Sequence, residues 1–156
     1  MIVLENVTKT YRVGRKNTQH VLNELDLEVR EKNSIAIEGR SGSGKTTLLN
    51  IIAGIDINFT GNYQFDSIDI KSLSPSERAK FRQKKIGIIT QQFDLLEDRN
   101  VYQNILLAIS HEKLTHSDRK KRVSEALQYV GLSGYEKKRI NQHLVEKCNV
   151  LGLHVR

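Results

Sequence analysis

The sequence predicts an α/β fold in which an antiparallel β layer precedes a unit made of a strand, a glycine-rich loop and a helix. Three observations carry that expectation. The first is Gly39-Arg40-Ser41-Gly42-Ser43-Gly44-Lys45-Thr46-Thr47, set between the apolar run Ser34-Ile35-Ala36-Ile37 and Leu48-Leu49-Asn50-Ile51-Ile52-Ala53. The second is a pair of β-rich stretches upstream, one over residues 2–11 and one in which Val21, Leu25, Leu27 and Val29 share an alternating face. The third is the downstream order, a basic helix followed by Ile86-Gly87-Ile88-Ile89-Thr90, a continuous apolar run that suits a buried parallel strand.

The glycine stretch fits G-x-x-x-x-G-K-[ST] between an expected strand and a helix, which predicts a P-loop NTPase core. Glycines at 39, 42 and 44 let the backbone bend tightly and turn its N–H groups inward, where a Cβ would obstruct them. Those amides and the positive end of the helix dipole form a nest for the β- and γ-phosphates of a nucleotide. Lys45 is the point charge that reaches the phosphates, and the Thr46 hydroxyl can take one coordination place on Mg²⁺. Ser41, Ser43 and Thr47 complete the expected phosphate-contacting set. The competing reading is a flexible Ser/Gly turn with a stray lysine, and the flanking strand and helix argue against it.

The remaining elements follow in order. Residues 8–11 extend the first strand towards a loop at Gly14-Arg15-Lys16-Asn17, and Glu31-Lys32-Asn33 is the turn before the glycine loop's strand. Gly54 is placed to cap the helix after that loop. Residues 62–70 alternate again and predict one exposed antiparallel strand. Ser74-Pro75-Ser76-Glu77 is a helix start, with Ser74 as N-cap, Pro75 in the first turn and Glu77 closing a capping box; the helix runs through Arg78, Phe81 and Lys85. Residues 101–109 predict a short helix. Ser117 is placed to cap another, in which Val123, Ala126, Leu127 and Val130 keep helical spacing up to Gly131. Its opposite face, Arg119-Lys120-Lys121-Arg122, has no interleaved aromatic residues and reads as a solvated face rather than a nucleic-acid groove.

The totals bound the function. A chain of 156 residues suits one domain with a real core, and 38% hydrophobic with 28% charged residues describes a polar globular protein. No apolar run approaches a membrane span, and the N-terminus lacks the pattern of a signal peptide, so a cytosolic location is expected. One cysteine, Cys148, allows no internal disulfide framework and no Cys-rich zinc site.

Taken together these residues resemble the nucleotide-binding domain of ABC transporters, in particular the ATPase subunits of the lipoprotein-release and macrolide or peptide exporter group. The resemblance runs from Met1 to about Gln142. It implies ATP and Mg²⁺ as cofactors, a transmembrane permease subunit as partner and a homodimer in the intact family. It also implies no nucleic acid, and a place on the inner face of the cell membrane through the permease. Leu4-Glu5-Asn6-Val7-Thr8-Lys9-Thr10-Tyr11 looks like the family's opening strand, which makes Tyr11 the residue that stacks on adenine. Residues 86–96 are similar to the family's Q-loop segment, which gives Gln91 a catalytic role beside Mg²⁺ and the attacking water. Asn100-Val101-Tyr102-Gln103-Asn104-Ile105 resembles the start of the helical subdomain that docks on the permease.

The resemblance divides the chain into an ATPase core over 1–93, part of a helical subdomain over 94–142 and an aberrant tail over 143–156. The family's L-S-G-G-x signature, its Asp-Glu-ending strand and its switch histidine do not occur in the chain. Binding without turnover is therefore the expectation, and the missing acidic strand accounts for the net charge of +7. Permitted codons for the tail, read in another frame, spell Leu-Ser-Gly-Glu-Met-Gln-Arg, the signature one glycine short, which predicts a frameshift near Gln142 that the gene sequence would test. His143, Cys148 and His154 match no familiar metal-ligand spacing. Two further readings are a non-catalytic nucleotide-binding module and another P-loop enzyme such as a small-molecule kinase. The β layer ahead of the loop and the Gln91 segment argue against the kinase.

Overall fold

The computed structural model describes residues 1–14, 17–89 and 95–140. The chain divides into two compact units, Met1–Gly87 and Ile88–Arg156. In the first unit, strands β1 (Ile2–Val13), β2 (Asn17–Val29), β3 (Thr60–Phe65) and β4 (Ile68–Asp69) form an antiparallel sheet in the order β2-β1-β3-β4. Helices α1 (Lys45–Ile52) and α2 (Pro75–Lys85) belong to the same unit. Leu4, Val7, Leu22 and Tyr63 of the sheet share one core with Leu48 and Ile51 of α1 and Phe81 of α2. The β layer is the one the alternation predicts.

Alternation is not continuous along these strands, because bulges shift its phase. Leu4 pairs with Leu27 and Val7 with Leu25, so β1 carries an extra residue there, and Asn6 takes φ 51°. Lys9 then pairs with Leu22, which puts the next extra residue on β2, where Glu24 has φ 47°. Side chains take up the displaced amides: Asn6 N donates to Asp26 Oδ1 at 2.7 Å and Glu24 N to Thr8 Oγ1 at 2.9 Å. The inward phase thus passes from Leu4 to Val7 and Lys9, and Leu22 is buried where the sequence pattern placed Val21.

Gly61 lies against the first bulge. A Cβ there would stand 2.3 Å from the Asn6 carbonyl oxygen and 2.5 Å from that of Glu5, and the residue has φ 92°. Lys9 is the one charged side chain buried among the described residues, 4% exposed, and it is paired. Its Nζ lies 2.6 Å from Asp56 Oδ2 and donates to Asn58 O at 2.7 Å. Burial pushes the Asp56 carboxyl up, but the hydrogen bonds and charge supplied by Lys9, Asn58 and Tyr11 outweigh it and hold the group below the usual carboxylate range.

Several expectations are corrected. Residues 34–37 and 86–89 do not form strands, and Ile35, Ile88 and Ile89 are 47%, 54% and 50% exposed. A parallel strand needs hydrogen-bonded neighbours and cover on both faces, and among the described residues the sheet of four antiparallel strands supplies neither to these runs. Thr90 lies outside the described residues. The single strand expected over 62–70 is a hairpin, β3 and β4 around a turn at Asp66 and Ser67, both at positive φ. Its Tyr63 is fully buried and donates to Ile52 O at 2.6 Å, and burial pushes the phenol pKa up. Gly54, at φ 65°, sits one residue past the Ala53 cap of α1, as the sequence predicts to within a residue.

In the second unit, α3 (Val101–Ala108) and α4 (His116–Tyr129) pack around Val101, Ile105, Ile109, Val123, Leu127, Leu132 and Ile140. Thr115, not Ser117, caps α4; its hydroxyl accepts from Asp118 N, the reciprocal position that Ser117 could not have closed. The segment after α4 returns to the start of α3, where Val101 N donates to Lys138 O at 3.0 Å and Tyr102 N to Glu136 O at 2.9 Å.

Three outcomes are expected in urea unfolding. Gly61→Ala loses about 3 kcal/mol, because a Cβ meets backbone that cannot rotate away. Gly14→Ala, at φ 73° with nothing within 4 Å of the new Cβ, loses only about 1–2 kcal/mol. Asp56→Asn costs about 3 kcal/mol at neutral pH by leaving Lys9 buried without its counter-charge. The folded Asp56 pKa lies below the unfolded value of 3.8, so its contribution is complete well above that pH and is lost as pH falls through the folded value. Unfolding curves from pH 7 down to pH ~3 should therefore be steeper in pH for the wild type than for Asp56→Asn.

Candidate nucleotide-binding site

The glycine loop closes on the start of α1. Gly42 and Gly44 take φ 79° and 94°, and Gly44 is the N-cap of the helix. At Gly44 a Cβ would stand 2.8 Å from Val21 Cγ1 and 2.9 Å from the Val21 carbonyl oxygen, so the loop is seated against β2 with no room for a side chain. At Gly39 a Cβ would stand 2.7 Å from Ser43 Oγ, which closes the loop on itself. Ser43 N donates to Arg40 O at 3.2 Å across the same turn.

The helix starts of this chain are not alike. Among the described residues, α2, α3 and α4 each carry a reciprocal capping box: Ser74 with Glu77, Asn100 with Gln103, and Thr115 with Asp118. Helix α1 has no side-chain cap and no acidic residue in its first turn. Its first amides and its positive dipole end therefore remain available to an anion, where the other helices have satisfied theirs internally.

Lys45 is the first residue of α1, and its Nζ donates to Gly39 O and Arg40 O, both at 2.8 Å. The ammonium is thus held inside the loop by neutral carbonyls. A triphosphate fits this donor set: a glycine cradle that a Cβ would fill, uncapped amides and one cation within the ring. Thr46 is exposed on the first turn and Thr47 is half-buried; Ser41 and Ser43 are exposed on the loop. No group of three or more His, Cys, Asp or Glu side chains able to hold a metal forms among the described residues. A cation here would depend on Thr46 and on ligand oxygens, the usual mode for Mg²⁺.

Tyr11 lies towards the far end of β1, 41% exposed. Its hydroxyl donates to Asp56 Oδ2 at 3.2 Å, and Lys9 Nζ stands 4.7 Å from the ring centroid. The sheet register links this ring to the loop, since Lys9 pairs with Leu22, and Leu22 Cδ2 is 3.3 Å from where a Gly44 Cβ would lie. The structure therefore brings Tyr11 and the Gly44 end of the loop to one strand pair. Gln91 lies outside the described residues, as do His143, Cys148, His154 and the rest of the tail over 143–156.

Lys9 and Asp56 were not singled out by the sequence. The signal available was a lysine in the inward phase of β1 between Val7 and Tyr11, which calls for a buried counter-charge. Leu132-Ser133-Gly134-Tyr135 comes nearest in spelling to the ABC signature but lacks its second glycine; it forms the turn after α4, with Leu132 buried in the core. No helix among the described residues is long and apolar enough to cross a membrane.

Comparison with known proteins agrees with this geometry. Residues 22–147 match the family described as ABC transporter. The ABC transporter ATP-binding protein YknY of Bacillus subtilis is 40% identical over 133 residues, which is 85% of this chain and 57% of that protein. The macrolide export ATP-binding/permease protein MacB of Syntrophobacter fumaroxidans is 39% identical over 111 residues, 71% of this chain and 15% of that protein. The dimeric structure of MJ0796, a bacterial ABC transporter cassette, superposes with a TM-score of 0.85 at 30% identity, covering 99% of this chain and 69% of the cassette. The post-hydrolysis state of the same cassette, bound to ADP and Pi, matches equally, with a TM-score of 0.85 at 29% identity. The chain spans a little over half the length of YknY, 57%. With a glycine loop seated on β2 and a family match over most of its length, the chain belongs to the ABC transporter family.

Proposed function

We propose that this chain is the nucleotide-binding part of the ATP-binding subunit of an ABC exporter. The observation that carries the reading is the uncapped start of α1, with the Lys45 ammonium held in a glycine ring seated on β2. Residues 39 and 41–47 take the phosphates, Tyr11 takes the base, and domain boundaries fall at residues 93 and 142. Mg²⁺, held by Thr46 and Gln91, would neutralise charge on the phosphates. A transmembrane permease subunit and a second copy of the ATPase complete the working assembly on the inner face of the membrane.

The chain's own residues account for binding in sequence. Amides of the loop and the first turn of α1 donate to the phosphate oxygens, and Lys45 exchanges two neutral carbonyls for charged oxygens. The sequence spells no Asp-Glu pair and no L-S-G-G run, and binding without turnover is the behaviour we assign to these 156 residues. Similarity to exporter ATPases supports this reading over a phosphotransferase.

Equilibrium titration of the purified chain should show saturable ATP binding, strengthened by Mg²⁺ and accompanied by thermal stabilisation. Lys45→Ala should weaken ATP by about 2–3 kcal/mol, roughly 30- to 150-fold. Binding that is absent at millimolar ATP, or indifferent to Lys45→Ala, would refute the assignment. Steady-state phosphate release should not exceed that of Lys45→Ala; turnover above it would show that the chain hydrolyses ATP unaided.

A further inference from the structure

We propose that Lys9 and Asp56 are positioning residues that fix the Tyr11 ring as the platform for the nucleotide base. The inference rests on the reading of residues 39–47 as the triphosphate site.

Tyr11 is exposed on a strand, where a phenol ordinarily samples several rotamers. Here the ring is fixed at two points. Its hydroxyl donates to Asp56 Oδ2 at 3.2 Å, and the Lys9 ammonium stands 4.7 Å from its centroid. Asp56 is itself anchored. Its Oδ1 accepts from Asn58 N at 2.9 Å and from Lys9 Nζ at 2.8 Å, and its own N–H donates to Asn50 O of α1 at 3.2 Å. The tether therefore runs from α1, whose first turn is the phosphate site, through Asp56 to the ring.

Lys9 has no other evident use for its charge. It is buried, and both of its hydrogen-bond acceptors lie in the segment that follows α1. A buried ammonium is costly unless paired, and an apolar residue in this inward position would pack as well. Placed against the ring, the cation is attracted to the π-face on its own side and leaves the ring available to a base on the other. Recognition by such a platform comes from stacking, which accepts any purine face and adds to what the phosphates supply.

The test separates base-dependent from phosphate-dependent affinity. ATP and inorganic tripolyphosphate, each with Mg²⁺, are titrated into the wild-type chain and into Tyr11→Ala, Tyr11→Phe, Asp56→Asn and Lys45→Ala. The ratio of the two affinities reports the contribution of nucleoside. Tyr11→Ala should reduce that ratio about 10-fold or more. Tyr11→Phe keeps the ring and removes only its tether, and should reduce the ratio about 3-fold with tripolyphosphate affinity unchanged. Asp56→Asn should do the same, and the double variant should be no worse than either single one. If Tyr11→Ala lowers the ratio while Tyr11→Phe leaves it intact, the tether has no positioning role and the proposal fails. Should Asp56→Asn not fold, Tyr11→Phe decides alone. Failure of the underlying reading looks different: Lys45→Ala would then leave both ligands unaffected.

Discussion

The close approach of Gly44 to β2 is the constraint from which the rest of the site follows. Because the loop backbone rests on Val21, the start of α1 is fixed relative to the sheet, and the sheet register then carries that position to Leu22, Lys9 and Tyr11. Remote residues become neighbours through steric fit and ladder pairing, and the Lys9–Asp56 ion pair joins them across 47 positions. The bulges on β1 and β2 belong to the same device, since they turn Val7 and Lys9 to the inner face after Leu4. Without that phase change, Lys9 would face outwards and Asp56 would have no buried partner.

The glycine loop, the Ser74 capping box and the helix stop at Gly131 were legible in the sequence because each rests on neighbours within a few residues, and the antiparallel layer was legible from the alternation within its strands. A capping box needs only four consecutive positions, and a P-loop needs eight. The strands that failed depended on partners far along the chain. Residues 34–37 and 86–89 have the composition of buried strands, but composition cannot supply the hydrogen-bonding neighbours a parallel strand needs. The N-cap of α4 was misplaced by two residues because Ser117 and Thr115 are both acceptable cap types, and only Asp118 at the third helical position decides between them. Lys9 and Asp56 stayed hidden for a related reason. They lie 47 positions apart, and only the bulged register brings them together.

The two units also differ in how they are held. The sheet unit is tied by side chains reaching backbone: Tyr63 to Ile52, Arg82 to Gly54, Lys71 to Gly61. The α3 and α4 unit depends on a continuous apolar core, closed by a backbone return at residues 136–138. Exposed Leu107 and Tyr129 lie on helices of that second unit, single apolar residues of a kind ordinary on protein surfaces.

The hydrogen bond from Tyr63 to the carbonyl of Ile52 acquires a wider meaning from the length of α1. Eight residues make barely two turns, and an isolated helix so short would fray in water. With its last turn held by a phenol rooted in the sheet and its N-cap Gly44 seated against β2, this one has lost that freedom before any ligand arrives. Entropy that a looser loop would surrender on binding has already been surrendered on folding. In the nucleotide site proposed for this loop the sheet holds the helix in place, so substitutions around Tyr63 bear on the proposed binding as well as those in the loop.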